Sequence, residues 1–90
     1  MKYEYPAIIK YDQQDSVYYV DFPDISGCFT DGLTLNKALE NAEDALNTML
    51  SYYENNNHKL PQPRNLNNIV LGIGEIVAII RANTELKIAV

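Results

Sequence analysis

Carboxylates are crowded into one short segment of the chain, and acidic clusters of this kind can hold catalytic metal ions. Asp21, Asp24 and Asp31 lie close together in sequence around a turn that contains Pro23 and Gly27. Divalent cations prefer carboxylate oxygens and assist phosphoryl transfer, so such a segment could serve a metal-dependent nuclease. More often, aspartates in turns accept hydrogen bonds from nearby backbone N–H groups. We therefore favour turn capping and predict no metal site.

Nucleophilic chemistry has little support in the sequence. Cys28 is the only cysteine and His58 the only histidine, some thirty residues further along in a polar loop. A thiol nucleophile needs a base beside it, so a small buried thiol is the favoured interpretation of Cys28. One cysteine and one histidine cannot form a structural zinc site, which takes about four ligands. Gly72 and Gly74 lack the third glycine of a dinucleotide-binding motif and instead indicate a tight turn or a bulge.

The elements that position these residues begin with a β-hairpin. Residues 2–10 alternate loosely between apolar and polar types, residues 12–16 break the pattern, and residues 17–22 are β-branched and aromatic. This pattern predicts a strand, a loop and a return strand. Pro6 has no N–H to donate, which predicts a locally open edge of the first strand. One face of that strand should carry Tyr3, Tyr5, Ala7 and Ile9.

A turn and a short third strand should follow the hairpin. Phe22-Pro23-Asp24 ends the apolar run, and Gly27 and Gly32 offer positions that tolerate a positive φ. Cys28 and Phe29 can form the third strand, which would complete an antiparallel meander.

The clearest element is an amphipathic helix. Thr34 stands where an N-cap residue is expected, and apolar residues then recur at spacings of three and four from Leu35 to Tyr53. Small alanines on this stripe should let the helix approach the sheet closely. The opposite side carries Lys37, Glu40, Glu43, Asp44 and Asn47. A charged helix face is usually only solvated, and the alternative is a surface that contacts a partner.

The last third of the chain mixes turn residues with apolar runs. Residues 55–58 should end the helix, and the prolines in residues 60–63 predict an extended connector. Residues 69–73 and 75–81 are apolar and β-branched, which indicates a buried strand or a pair of strands, and residues 86–90 form another apolar stretch. Such a tail makes a homodimer or higher homo-oligomer a reasonable hypothesis.

Composition bounds the class of protein. The chain has 90 residues, is 47% hydrophobic and carries a formal net charge of −5. A negative surface repels nucleic-acid backbones and attracts basic proteins, so a basic partner is favoured over DNA. The sequence shows neither a secretory signal nor an apolar run of membrane-spanning length. We therefore expect a single cytoplasmic domain over residues 1–90.

The chain resembles the HicB-like antitoxins of type II toxin–antitoxin systems. The resemblance runs from about Tyr5 to Pro63 and includes FPD, SGC, TDG, the Thr-Leu helix start and the LPxP exit, in this order. The matching residues are interpreted mainly as turn and cap positions that define the fold: Phe22, Pro23, Asp24, Gly27, Cys28, Thr30, Gly32 and Thr34.

The resemblance implies a small, incomplete ribonuclease-H-like α+β domain, in which an antiparallel meander packs on one long helix and further C-terminal strands follow. The resemblance also implies that the fold is not itself a nuclease, and we expect no cofactor. Members of the family bind a small basic toxin with a double-stranded-RNA-binding-domain fold, an mRNA-cleaving ribonuclease, and mask its active site. Charge complementarity, and no motif, nominates the toxin-binding residues: Asp24, Asp31, Glu40, Glu43 and Asp44.

One departure from the family pattern concerns DNA. Full-length members commonly continue into a C-terminal DNA-binding segment, whereas this sequence ends in LKIAV. No basic recognition helix follows the apolar runs, so the sequence does not favour direct DNA binding. Operator binding would then be supplied by another chain. The alternative to an antitoxin is an orphan interaction module that keeps the fold without a toxin.

Overall fold

The structure, a computed structural model, describes residues 2–84. Within this range the elements are β1 (Lys2–Asp12), β2 (Val17–Asp21), β3 (Phe29–Gly32), α1 (Leu35–Asn55) and β4 (Glu75–Asn83), with a 3-10 turn at Leu66–Asn68 before β4. The predicted hairpin and helix are confirmed. The third strand begins one residue later than predicted and extends to Gly32.

The strands form one antiparallel sheet in the order β3-β2-β1-β4. β1 is central: it pairs with β2 from Ile8 to Asp12 and with β4 from Lys2 to Lys10. Pro6 lies in the part of β1 that pairs with β4 alone, where the missing N–H removes no bond to β2. β1 is therefore unpaired on the β2 side at this proline, but the predicted exposure is wrong, because Pro6 is buried in the central strand.

One face of the sheet packs against α1 and forms the core. Tyr5, Ala7 and Ile9 alternate along β1 and are each at most 2% exposed, so the predicted apolar face is confirmed. The turn after β2 contributes its own apolar side chains to the same cluster. The remaining buried residues outside the helix are Val20, Phe22, Ile25, Cys28, Ile80 and Ala82.

The helix begins after the predicted N-cap residue and buries the predicted apolar positions. Thr34 Oγ1 accepts a hydrogen bond from the Lys37 N–H at 3.0 Å, which confirms the predicted N-cap. The buried positions recur every fourth residue, at Ala38, Ala42, Leu46 and Leu50. Because two of these are alanine, the helix axis can lie close to the sheet.

Gly32 has a different role from the predicted one. The glycines with positive φ are Gly27 at 77° and Gly74 at 79°, so the prediction is confirmed for Gly27 and wrong for Gly32. A Cβ on Gly32 would lie 2.3 Å from the backbone nitrogen of Ala38. Gly32 is therefore required for steric reasons, because β3 meets the first turn of α1 at this point.

The segment before β4 also departs from the prediction. Residues 69–73 are not a strand: Val70 is 92% exposed and Ile73 97% exposed, and the Glu75 N–H bonds the Gly72 carbonyl across a tight turn. A single strand, β4, follows this turn. β4 is only partly buried because it lies at the edge of the sheet, where Ile76 and Ile79 are exposed. The apolar stretch at 86–90 lies outside the described residues.

The fold is α+β: a four-stranded antiparallel sheet with one long helix against one face. The finer classification as an incomplete ribonuclease-H-like domain stays a prediction. Within residues 2–84, no helix combines the length and the apolar content needed to cross a bilayer.

We predict that Leu46→Asp unfolds the domain. Leu46 is fully buried, so the change removes its apolar contacts and places a carboxylate in the core. Large-to-small changes at such sites cost about 2–5 kcal/mol even without a buried charge. A chain of this size is stable by roughly 5–13 kcal/mol. Thermal melting followed by circular dichroism measures the loss, with Thr48→Asp, exposed on the same helix, as the matched control. Equal melting temperatures for wild type and Leu46→Asp would contradict the assigned core.

We predict that Gly32→Ala lowers the free energy of unfolding by about 1–3 kcal/mol, since the added methyl group meets helix backbone that cannot rotate away. Gly72→Ala is the control: its Cβ would lie 3.1 Å from Glu75 Oε1, the movable end of a side chain, and the change should cost within about 0.5 kcal/mol. Urea titrations of both variants give the two values. A Gly32→Ala protein as stable as wild type would mean that β3 and α1 are not in close contact.

Candidate functional site

The turn that joins β2 to β3 is closed by backbone hydrogen bonds. The Phe22 N–H bonds the Cys28 carbonyl at 3.1 Å, the Ile25 N–H bonds the Phe22 carbonyl at 3.1 Å, and the Cys28 N–H bonds the Ile25 carbonyl at 3.2 Å. The side chains of these three residues are all buried. The motif residues Phe22 and Cys28 therefore define the fold, as predicted, and Ile25 joins them as a core residue that the sequence reasoning missed.

Asp24 connects this turn to a distant part of the chain. Its side chain is only 6% exposed and accepts hydrogen bonds from both the backbone N–H and the guanidinium of Arg64. Arg64 Nη2 also donates to the Pro23 carbonyl at 3.3 Å. Asp24 therefore fastens the connector after the helix to the turn, instead of capping the turn locally as predicted.

A second contact holds the same connector. The Tyr5 hydroxyl donates to the Pro61 carbonyl, and burial raises the pKa of Tyr5, so this hydroxyl stays protonated and able to donate. Tyr5 lies on the central strand, so its hydrogen bond to Pro61 connects the extended proline-containing segment to the core. The two contacts together fix the path of the chain between α1 and β4.

The three aspartates that were considered as a possible metal site do not converge. Asp24 is engaged by Arg64, whereas Asp21 and Asp31 are exposed on β2 and β3. Asp21 pairs with Phe29 in the sheet, and Asp31 pairs with Tyr19. Among residues 2–84, no group of three His, Cys, Asp or Glu side chains is close enough to hold a metal ion.

Cys28 is a buried thiol, which confirms the favoured interpretation. Burial, and to a smaller extent the nearby charge of Asp21, raises its pKa to about 11. The nucleophilic thiolate is therefore scarce at neutral pH. His58 lies beside Tyr52 and Tyr53, with ring centroids about 6 Å apart, and makes no pair with Cys28.

The acidic side of α1 is exposed but is not a single surface. Glu40, Glu43 and Asp44 all face solvent, and Lys37 Nζ lies 3.5 Å from Glu40 Oε2. Exposed pairs of this kind contribute little to stability. Asp44 lines a groove beside β3, whereas Glu43 lines a depression beside β4. The predicted acidic face therefore divides between two flanks of the helix.

The flank beside β3 is a groove of about 680 Å³ between the edge strand and the helix. Tyr52 is 55% exposed on the helix side of this groove, and Met49 is partly buried between the strand and the helix. Phe29, 69% exposed, lies at the strand edge and also lines a depression on the open face of the sheet, because it aligns with Asp21 and Ile8 on that face. The Asn41 amide donates to the Asp31 carbonyl at 2.8 Å, which joins helix and strand at the rim. We call this feature the β3 groove, lined chiefly by Phe29, Thr30, Asn41, Asp44, Met49 and Tyr52.

The flank beside β4 has mixed charge. Its depression is lined by Lys2 and Arg81 as well as by Glu4 and Glu43, and Arg81 Nε lies 2.8 Å from Glu4 Oε2. Cations and anions are therefore balanced on this side of the helix.

Three residues of this site were missed by the sequence reasoning: Arg64, Phe29 and Tyr52. Arg64 follows the LPQP segment directly, and its partner is forty residues away, so no local pattern could identify the pair. Tyr52 lies one residue off the apolar stripe, a position that predicts exposure. Phe29 was assigned only to a strand, although an aromatic residue on a short edge strand could have indicated an exposed ring.

Comparison with known proteins agrees with the sequence motifs. The family model for HicB-like antitoxins of bacterial toxin–antitoxin systems matches residues 5–85. Antitoxin HicB 1 of Photorhabdus laumondii is 41% identical over 59 residues, covering 66% of this chain and 37% of that protein. The chain therefore spans little more than a third of the length of this relative.

Two solved structures share the fold. A toxin–antitoxin complex from Streptococcus pneumoniae matches with a TM-score of 0.86 at 22% identity, covering 94% of this chain and 71% of that chain. The HicA3 and HicB3 toxin–antitoxin complex matches with a TM-score of 0.71 at 25% identity, covering 90% of this chain and 99% of that chain. With the family match extending over most of the sequence, the chain belongs to the HicB-like antitoxins of bacterial toxin–antitoxin systems.

Proposed function

We propose that this protein binds a small basic toxin, an mRNA-cleaving ribonuclease with a double-stranded-RNA-binding-domain fold, and neutralises it by covering its active site. The observation that carries the proposal is the family match over residues 5–85. A HicB-like chain is part of a solved complex named for HicA3 and HicB3, which supports a toxin as the partner.

The charge of the chain supports competitive masking. A ribonuclease must present a cationic surface to RNA phosphates, and an acidic protein can occupy that surface. This chain carries a formal net charge of −5, and Asp31, Glu40, Glu43 and Asp44 are exposed. The protein would then prevent RNA from reaching the toxin without chemistry of its own.

Within the residues nominated by charge, we propose that Asp31, Glu40, Glu43 and Asp44 include the direct toxin contacts. Asp24 is better suited to positioning the connector, because its carboxylate already binds Arg64.

A homodimer also remains a proposal. The exposed Ile76 and Ile79 on the edge strand β4 are compatible with self-association, which light scattering at high micromolar concentration would measure.

We predict that the tagged protein, purified from its own host, brings with it a small basic protein. That protein should cleave RNA only after the two are separated, and adding back this chain should stop the cleavage. The assay measures RNA fragment lengths with and without the antitoxin. If the protein encoded by the neighbouring reading frame neither binds this chain nor cleaves RNA, the orphan interaction module is the better account.

We predict that replacing Glu40, Glu43 and Asp44 together by lysine weakens toxin binding and slows association, because charge steers encounter between the partners. Folding should be nearly unchanged, since exposed substitutions usually cost within about 0.5 kcal/mol. The control reverses two charges at Asp15 and Asp21, which are exposed on the hairpin away from the helix. Surface plasmon resonance gives the two rates, and an equal loss for each reversed charge in both variants would contradict a specific role for the helix.

A further inference from the structure

We infer that the outer edge of β4 binds a second copy of this chain, and that the two copies of β4 pair antiparallel about a two-fold axis at Ala78. The two four-stranded sheets then form one continuous sheet across the dimer. This inference rests on the homodimer proposed above and gives it an interface and a register. It is independent of toxin binding, so its test uses the free protein.

β4 presents a strand edge that lacks the features by which proteins discourage pairing. In the sheet of residues 2–84, its only hydrogen-bonded neighbour is β1. Edge strands are commonly protected by a proline, a bulge or a charge near their middle. Residues 76–80 are all apolar and contain no proline, and the pairing with β1 continues without a bulge. Ile76 is 53% exposed and Ile79 44% exposed on opposite faces of this edge, so a partner strand would cover both.

The hydrogen-bond pattern of the sheet identifies the backbone groups of β4 that face outward. The N–H of Phe22, directly after β2, points towards β3, because it bonds the Cys28 carbonyl. Successive residues direct their backbone groups to opposite sides of a strand, and two paired residues point either towards or away from each other. Because this alternation continues through the registers of β2 with β1 and of β1 with β4, the odd-numbered residues of β4 point away from β1. The N–H and carbonyl groups of Val77 and Ile79 are therefore directed at a second strand.

The sequence of β4 is complementary to itself in one antiparallel register. With the axis at Ala78, each Val77 pairs with the partner's Ile79. In the same register, each Glu75 pairs with the partner's Arg81. Opposite charges on paired residues stabilise antiparallel strands, and like charges destabilise them. Moving the axis to Val77 or to Ile79 instead places Glu75 or Arg81 opposite an apolar residue, so charge selects the axis at Ala78.

The charged pairs extend contacts that each copy already makes on the sheet face opposite α1. Glu75 pairs with Lys10 of β1, and Arg81 pairs with Glu4, with 2.8 Å between Arg81 Nε and Glu4 Oε2. In the dimer, charges of opposite sign alternate across the joined sheets in the order Glu4, Arg81, the partner's Glu75 and the partner's Lys10. The guanidinium of Arg81 has further donors, and the Glu75 carboxylate, which accepts from the Gly72 N–H, has further acceptor positions. Both groups can therefore form the new pair without losing the contacts that they have.

The same register brings apolar side chains together on the face that packs against α1. Ile76 and Ile80 lie on this face, because they pair with the buried residues Ile9 and Tyr5 of β1. Across the axis, Ile76 pairs with the partner's Ile80, and the two small Ala78 side chains meet each other. The exposed Ile76 thus lies beside a residue that is only 4% exposed at the border of the partner's core.

Charge also favours a second copy over a basic toxin segment at this edge. Glu75 and Arg81 give the edge one anion and one cation, and therefore no net charge. A strand of the same sequence satisfies both, because the two-fold axis places each charge opposite its complement. A cationic strand would bring a like charge towards Arg81, which is unfavourable in an antiparallel pair.

The test uses two single variants that are complementary to each other. Arg81→Glu places glutamates opposite each other at both ends of the interface, and Glu75→Arg places arginines there, so each variant alone should raise the Kd of dimerisation by at least about tenfold. An equimolar mixture restores opposite charges in every pair and should associate within about threefold of the wild-type Kd. Sedimentation equilibrium measures the association, with a fluorescent label on one variant in the mixture. Lys37→Glu, exposed on α1, is the matched control and should dimerise like wild type. Melting temperatures establish that each variant is folded.

Amide hydrogen exchange of the wild-type protein is a second measurement that needs no variant. The N–H groups of Val77 and Ile79 should become protected as the protein concentration rises through the range in which the dimer forms. Those of Ala78 and Ile80 face β1 and should be protected at every concentration. Alternating protection of this kind distinguishes pairing along the strand edge from packing of one sheet face on another.

Four results would overturn the inference, and they separate it from the proposals on which it rests. A wild-type protein that is monomeric at high micromolar concentration removes the homodimer as well and leaves toxin binding untouched. A dimer that withstands both charge reversals, or variants whose mixture does not associate, means that the homodimer uses another surface or register. Protection of the Val77 and Ile79 amides at every concentration means that another part of the same chain covers the edge. Protection that appears only when the ribonuclease is added assigns the edge to the toxin.

Discussion

The close contact between β3 and the first turn of α1 is the constraint on which the rest of the structure depends. Gly32 has no side chain at the point where the strand meets the backbone of Ala38, and the buried alanines of α1 continue the close approach. The buried side chains of helix and sheet form one cluster between them. The β3 groove lies between the same strand and helix.

Local patterns in the sequence predicted most of the helix and strands correctly, but they could not predict contacts between residues far apart in the chain. The N-cap at Thr34, the apolar stripe of the helix and the alternation along β1 all depend on neighbours within a few residues. Gly32 was misinterpreted because a steric requirement and a positive φ favour the same residue type. The pairing of Asp24 with Arg64 joins residues that no periodicity relates. The apolar residues 69–73 suggested a strand, but their neighbouring glycines form a turn that leaves them exposed.

In the candidate site too, local features were predicted from the sequence and long-range contacts were not. Residue types alone were sufficient to find the exposed carboxylates of α1, because charged residues outside an apolar stripe face solvent. The sequence did not indicate that Glu43 and Asp44, adjacent in the chain, border different concavities with different charge balance. It also grouped Asp24 with the available acids, although that carboxylate is nearly buried. The sequence therefore predicts which acidic residues are exposed, whereas the residues that surround each carboxylate depend on the fold.

The strand order has a consequence for how the molecule is made. β1, the first strand of the described chain, is central, and one of its two neighbours is β4, the last strand of the described chain. Until residues near Ile80 have been synthesised, Tyr5 and the strand around it have no partner on that side. Closing so long a loop is slow relative to forming the hairpin or the helix. A chain that ends before β4 therefore exposes one side of an apolar central strand, so the sheet is completed only after most of the domain has been translated.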